Sequence, residues 1–246
     1  TILANQFEAT PTLSALRGRR GFERGPVTSR TIFRNSTPGD LNGPWLSQFL
    51  TLDFYFGAHA FSQKIKTFPA GTDYMTKYQD WLDVQNGADP SDKAVFDSTP
   101  RYIRNLRDMA QWVRVDALYQ AYLHACLILL EQGTRLDPGL PLYNAKAQAG
   151  FAQCGGPHIL SLVTEVATRA LKAVWYQKWF VHHRLRPEEF GGRVHNHMTR
   201  AANYPIHSDV LNSRAVSEVY KKYGTYLLPQ AFPEGSPTHT SYGSGH

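Results

Sequence analysis

The chain has 246 residues, a formal net charge of +6, 42% apolar residues and 13% aromatic ones. That length is one large domain or a piece of one, and the apolar content suffices for a sizeable core. No run of about 18 apolar residues occurs, so no membrane span is expected and an integral-membrane lipid enzyme is disfavoured. Arg17-Gly18-Arg19-Arg20 is the one dense basic run, so nucleic acid is not an expected partner, and the positive balance suits an anionic cofactor or substrate instead.

Residues 1–40 are rich in Thr, Arg, Gly and Pro and carry little periodicity. They read as an extended N-terminal arm, with short strands around Arg30–Phe33, that wraps a neighbouring subunit or stays a flexible terminus. Residues 41–246 read as one helical domain. Pro44 opens a predicted helix over Trp45–Phe56, with Trp45, Phe49, Leu52 and Phe56 at helical spacing and Gly57 as its stop. Lys64–Phe68 suits a short strand. Tyr74–Val84 is a further helix, closed by Asn86-Gly87, and Asp89–Asp92 is a turn without calcium-loop spacing.

Thr99-Pro100 opens the clearest helix. Ile103, Leu106, Ala110, Val113, Ala117 and Ala121 recur every three or four residues, and the pattern runs on to Gly133 as C-cap. Asp108 is expected to pair with Arg104 or Arg107, and His124 to be a core or interface residue. After breaks at Asp137–Pro141 and Gly155–Pro157, His158–Trp179 forms a helix. Leu160, Val163, Ala167, Ala170 (or Leu171) and Val174 give its buried stripe. His195-Asn196-His197 has metal-ligand residue types but no identifiable third ligand, so fold-supporting contacts are expected. Asp209–Tyr223 is the last predicted helix. Cys126 reads as core and Cys154 as a loop residue. Two thiols fix neither a disulfide framework nor the compartment, though a soluble secreted or periplasmic protein is compatible with them.

Two stretches carry the chemistry. The first is Lys178-Trp179-Phe180-Val181-His182-His183-Arg184-Leu185-Arg186-Pro187, and the second is Gly235–His246. Lys178 is expected on the last helical turn. Arg186 is expected just beyond it, because a residue before proline leaves the helical region. Lys offers a point charge and Arg a planar fork, the donors an oxyanion needs. Gly243 and Gly245 let backbone N–H groups approach a ligand, a helix starting there would aim its N-terminus at the anion, Ser244 adds a hydroxyl, and His246 titrates near neutrality. Singly, the first stretch reads as a solvated basic face and the second as a turn. In this order, with a Pro/Gly-rich approach between them, they point to a site.

The stretch Lys178–Gly192 followed by Ser236–His246 resembles the vanadium-dependent haloperoxidases, of the algal and bacterial bromoperoxidase type, within the superfamily that includes type 2 phosphatidic-acid phosphatases and acid phosphatases. Asp80–Gly87, Arg101–Asn105 and Tyr226–Gln230 are similar to the same enzymes. The resemblance implies a mostly α helical bundle and peroxide-dependent oxidation of bromide, iodide or chloride at a bound vanadate, with halogenation of a small organic acceptor. It implies that Lys178, Arg186, Ser244, Gly245 and His246 bind vanadate oxygens, that His246 is the acid/base, and that His239 and Trp175 flank the halide. It also implies a homo-oligomer. The usual Pro-Ser-x-x-Ser-Gly-His has Thr240 in place of its proline, a mild expected change in loop stiffness. The family's third motif, with a further Arg and the vanadium-bound His, does not follow His246. That leaves open an inactive fragment or a separate C-terminal chain, and it bears equally on the alternative reading, a phosphomonoesterase using the same oxyanion cradle, because the acid-phosphatase relatives use that same His.

Overall fold

The computed structural model describes residues 46–117, 119–237 and 239–244. The predicted arm with its strands, and also Trp45, Gly245 and His246, lie outside the described residues. The chain divides into two compact units, Thr1–Gln48 and Phe49–His246, and the second is described here.

The unit is mainly helical. Its elements are a hairpin of β1 (Phe54–Phe56) and β2 (His59–Phe61), then α1 (Tyr78–Gln85), α2 (Leu106–Arg114), α3 (Gln120–Glu131), α4 (Gly156–Tyr176), α5 (Pro187–Met198), α6 (Ser208–Leu211) and α7 (Arg214–Tyr223). A π-helical turn, Gln177–His182, continues α4 without a break. Helix α3 packs against both β1 and α4. Phe54, Leu127 and Ile128 form the buried cluster between them, with Phe49, Leu123 and Leu160 at its edge. A second apolar centre surrounds Phe68, whose ring lies 4.6 Å from Phe96 and 5.5 Å from Phe232.

Five predicted elements differ from the structure. The Trp45–Phe56 helix is a short 3-10 turn at Gln48–Leu50 followed by the hairpin. Tertiary contacts decide this. Phe54 turns inward onto α3, Gly57 takes a left-handed φ of 63° at the turn, and the Asp53 carboxylate accepts from Gln63 N–H (2.7 Å) and Tyr102 O–H (2.8 Å). The helix expected from Thr99 to Gly133 is two helices. Arg101 is held extended by paired 2.9 Å bonds to Ile65, the one bridge formed within the predicted Lys64–Phe68 strand. Asn105 caps α2 by accepting from Asp108 N–H at 3.0 Å. Tyr119, at a φ of 54°, breaks the chain before α3. Helix α1 starts at Tyr78 rather than Tyr74, because Tyr74 is bridged to Gln230. Finally, Ser213 caps a new helix inside the predicted Asp209–Tyr223 span.

Other expectations hold. Asp108 is 1% exposed and pairs with Arg104 at 2.8 Å, while Arg107 pairs with Asp73. His195 Nδ1 accepts from Tyr226 N–H and His197 Nδ1 from Tyr204 N–H, so both histidines support the fold. Leu160, Val163, Ala167, Leu171 and Val174 form the half-buried face of α4, and Ala170 is exposed. Both cysteines are free thiols, and Cys126 is buried. Among the described residues no helix is long and apolar enough to cross a membrane.

Candidate active site

Helix α4 delivers Lys178, but in a π turn rather than in a last α-helical turn. The turn closes with His183 N–H donating to Lys178 O, five residues back, at 3.0 Å, and His183 then leaves the helix at a φ of 49°. Such turns insert one extra residue and re-aim the side chains that follow. Arg186 lies in extended backbone as the N-cap of α5, as Pro187 requires. Its N–H donates to Glu189 Oε2 at 3.0 Å.

The two predicted stretches meet. Lys178 Nζ lies 3.0 Å from His239 Nδ1 across 61 positions of sequence. Trp175 completes the group, its ring 5.4 Å from His239 and 5.7 Å from Lys178 Nζ. The same Nδ1 is 3.0 Å from Thr240 O. One imidazole nitrogen cannot serve both contacts at once. Accepting from the ammonium leaves Nδ1 bare, with the proton on Nε2; donating to Thr240 O requires the other tautomer.

Lys178 is only 3% exposed. Burial pushes its ammonium below the ordinary lysine pKa, and the nearby Arg186 charge pushes in the same direction. Beside it opens a cleft of about 440 Å³ whose lining includes Trp179, His183, Arg186, Glu188, Glu234 and His239. Lys178 and Trp175 are not among its lining residues; both contact His239, which is. Each carboxylate of the cleft has a partner other than the two cationic side chains. Glu188, 4% exposed, accepts from Ser236 Oγ at 2.6 Å, Glu189 accepts from Arg186 N–H, and Glu234 pairs with Arg114. Among the described residues neither Lys178 nor Arg186 forms an ion pair with a carboxylate. Arg186 Nε is buried without a hydrogen-bond partner. Two cations, the charge of Arg186 lowering the affinity of Lys178 for its proton, neither in a carboxylate ion pair among the described residues and one with an unused buried donor, suit an oxyanion.

The sequence is 38% identical over 271 aligned residues to a vanadium-dependent bromoperoxidase of Corallina pilulifera, covering 91% of this chain and 45% of that protein. The corresponding protein of Corallina officinalis matches equally, and one from Ascophyllum nodosum is 34% identical over 87% of this chain and 40% of its own length. No family model matches. The fold superposes on the homohexameric vanadate-dependent bromoperoxidase AnII of Ascophyllum nodosum with a TM-score of 0.79 and 30% identity, over 98% of this chain and 44% of that one. The chain is homologous to the vanadium-dependent bromoperoxidases. It spans less than half the length of the bromoperoxidases it matches.

Of the predicted site residues, Lys178, His239 and Trp175 are in mutual contact and Arg186 is on the cleft wall. Ser244 is described and engaged in the structure, while Gly245 and His246 lie outside the described residues. Sequence reasoning missed Trp179, Ser236 and Glu188 in the cleft, and gave no role to the Thr240 and Ser241 hydroxyls. Thr240 carried a signal, as the departure from the usual bromoperoxidase loop. Ser236, Glu188 and Trp179 carried none, because nothing local marks which way they face.

Proposed function

We propose that the protein oxidises bromide, and also iodide or chloride, with hydrogen peroxide at a protein-held vanadate. The product is hypohalous acid, which halogenates a small organic acceptor. The observation that carries this is the buried Lys178 and the half-buried Arg186, neither in an ion pair with a carboxylate among the described residues, with Arg186 Nε buried and unused. The names of the matched relatives support the same reading and do not favour the phosphomonoesterase alternative.

When bound, vanadate supplies a Lewis acid that makes peroxide oxygen electrophilic without a change of metal oxidation state. Lys178 and Arg186 hold the anion's charge. Ser244 O–H and Gly245 N–H add hydrogen bonds, and His246 holds and returns the proton that the reaction needs at neutral pH. The sum is bromide, hydrogen peroxide and one proton giving hypobromous acid and water. His239 and Trp175 flank the halide. One Lys178 N–H can serve His239 Nδ1 while the other two remain for the anion, because an ammonium carries three donors. The further Arg and the vanadium-bound His are assigned to sequence outside these residues, on the same polypeptide or on a separate chain. The homohexameric relative supports a homo-oligomer.

The test is bromination of a small dione by the purified protein with bromide and peroxide, before and after orthovanadate. Activity that depends on vanadate, and is lost in His246→Ala with the fold retained, is expected. Absence of bromination by a preparation that holds the further Arg and His and demonstrably binds vanadate refutes the reading, and hydrolysis of a phosphate ester at a catalytic rate replaces it.

A further inference from the structure

Thr240 stands where the usual bromoperoxidase loop has proline, and its hydroxyl has a partner that proline could not supply. Thr240 Oγ donates to Lys178 O at 3.0 Å. That carbonyl also accepts the His183 N–H that closes the π turn. The next residue repeats the pattern. Ser241 N–H donates to Arg184 O at 3.1 Å, and Ser241 Oγ donates to Leu185 O at 2.7 Å. Residues 240 and 241 therefore grip the backbone of the turn and its exit, between the two cations. His239 immediately precedes the grip and Ser244 follows it.

We propose that Thr240 and Ser241 are positioning residues: their hydroxyls clasp the His239–Ser244 segment onto the π turn and so set the Lys178–Arg186 pair for an oxyanion. The proposal rests on the oxyanion reading above. The physical reason is register. In an ordinary α-helical turn Lys178 O would accept from residue 182, one position earlier than it does here. A slip of one residue swings every later side chain by about 100°, which would take Arg186 away from Lys178. The second donor on Lys178 O holds the carbonyl in the wider turn. The same bond fixes the loop height at which His239 Nδ1 meets Lys178 Nζ.

The test compares Thr240→Val, which keeps the shape and loses only the O–H, with Thr240→Ser, which keeps the O–H. Ser241→Ala is the second variant, should Thr240→Val fold poorly. Two readings are taken on each: inorganic phosphate affinity by calorimetry, and the anion-free NMR spectrum of ring-labelled His239. Thr240→Val is expected to weaken phosphate binding by about 3- to 10-fold, the range for one lost hydrogen bond. It is also expected to shift the His239 ring signals, while Thr240→Ser restores both. Unchanged affinity and unchanged His239 signals in Thr240→Val overturn the clasp, as does a Thr240→Ser variant no better than the valine. If the parent protein does not bind phosphate or vanadate, the oxyanion reading fails instead, and the His239 signals still decide whether the hydroxyl sets the contact.

Discussion

Gly192 is the point at which a single methyl group should unsettle the scaffold of the site. It lies in the interior of α5, the helix that Arg186 caps, and the Trp81 ring of α1 lies directly on it. A Cβ at this position would overlap Trp81 Cζ2 and come within 2.5 Å of Cε2 and Cη2. The ring cannot retreat freely, because its Nε1–H donates to Glu188 O at 3.1 Å in the first turn of α5. Gly192→Ala gains about 1 kcal/mol of helix propensity. Against that, forcing a methyl into a filled contact costs roughly 1–3 kcal/mol. Losing the indole hydrogen bond costs about 0.5–1.5 kcal/mol more. The net is a loss of about 2 kcal/mol, or roughly 4–8 °C in Tm for a unit of this size. Thermal unfolding followed by circular dichroism measures it. An unchanged or raised Tm would show that propensity wins and that the Trp81 contact is loose, and would sink the reasoning.

Three further outcomes are expected. Asp108→Ala removes a buried acceptor for both the Arg104 backbone N–H and its guanidinium. Because Arg104 itself is half-exposed and regains water, the loss should be about 2–3 kcal/mol in urea unfolding, and a change below about 0.5 kcal/mol would contradict the pairing. Burial holds His124 and His195 below the ordinary histidine value, so the fold favours their neutral forms and the unfolded chain binds more protons. Stability from them is fully present above about pH 6.5 and is lost as pH falls through the folded values, so the urea midpoint should drop on acidification, less so in His124→Phe. A midpoint flat between neutral pH and pH 5 counts against this. Lys178→Met removes a buried charge that Arg186 repels. The variant should melt higher without anion, yet lose most of the stabilisation, about 2.7 kcal/mol at a hundredfold excess over Kd, that phosphate gives the parent. If phosphate raises both proteins equally, Lys178 is not part of the anion site.

Legibility followed the range of the forces involved. The α4 stripe from Leu160 to Val174 was readable because helical spacing is a local property and the helix is long enough to show it. The Pro187 boundary was readable for the same kind of reason, since the ring restricts its own neighbour. The hairpin at Phe54–Phe61 was not. Aromatic residues at helical spacing also suit a strand, and the preference of a few tenths of a kcal/mol per residue is overridden once Phe54 can bury itself on Leu127 and Ile128. The break near Tyr119 was hidden because apolar residues keep their spacing on both sides of it.

The sequence by itself determined the chemistry available: a lysine, an arginine, two histidines and a hydroxyl-rich loop in an order similar to the bromoperoxidases. It also determined where proline ends one helix and begins another. Only the tertiary structure decided that Lys178 rides a π turn, that His239 meets its ammonium, and that Glu188 and Glu234 are occupied by Ser236 and Arg114 while Glu189 takes the Arg186 backbone N–H, so that neither cation forms a carboxylate ion pair among the described residues. The reason is that spacing fixes which residues share a face over a few turns, whereas a contact between positions 61 apart depends on how the whole unit closes.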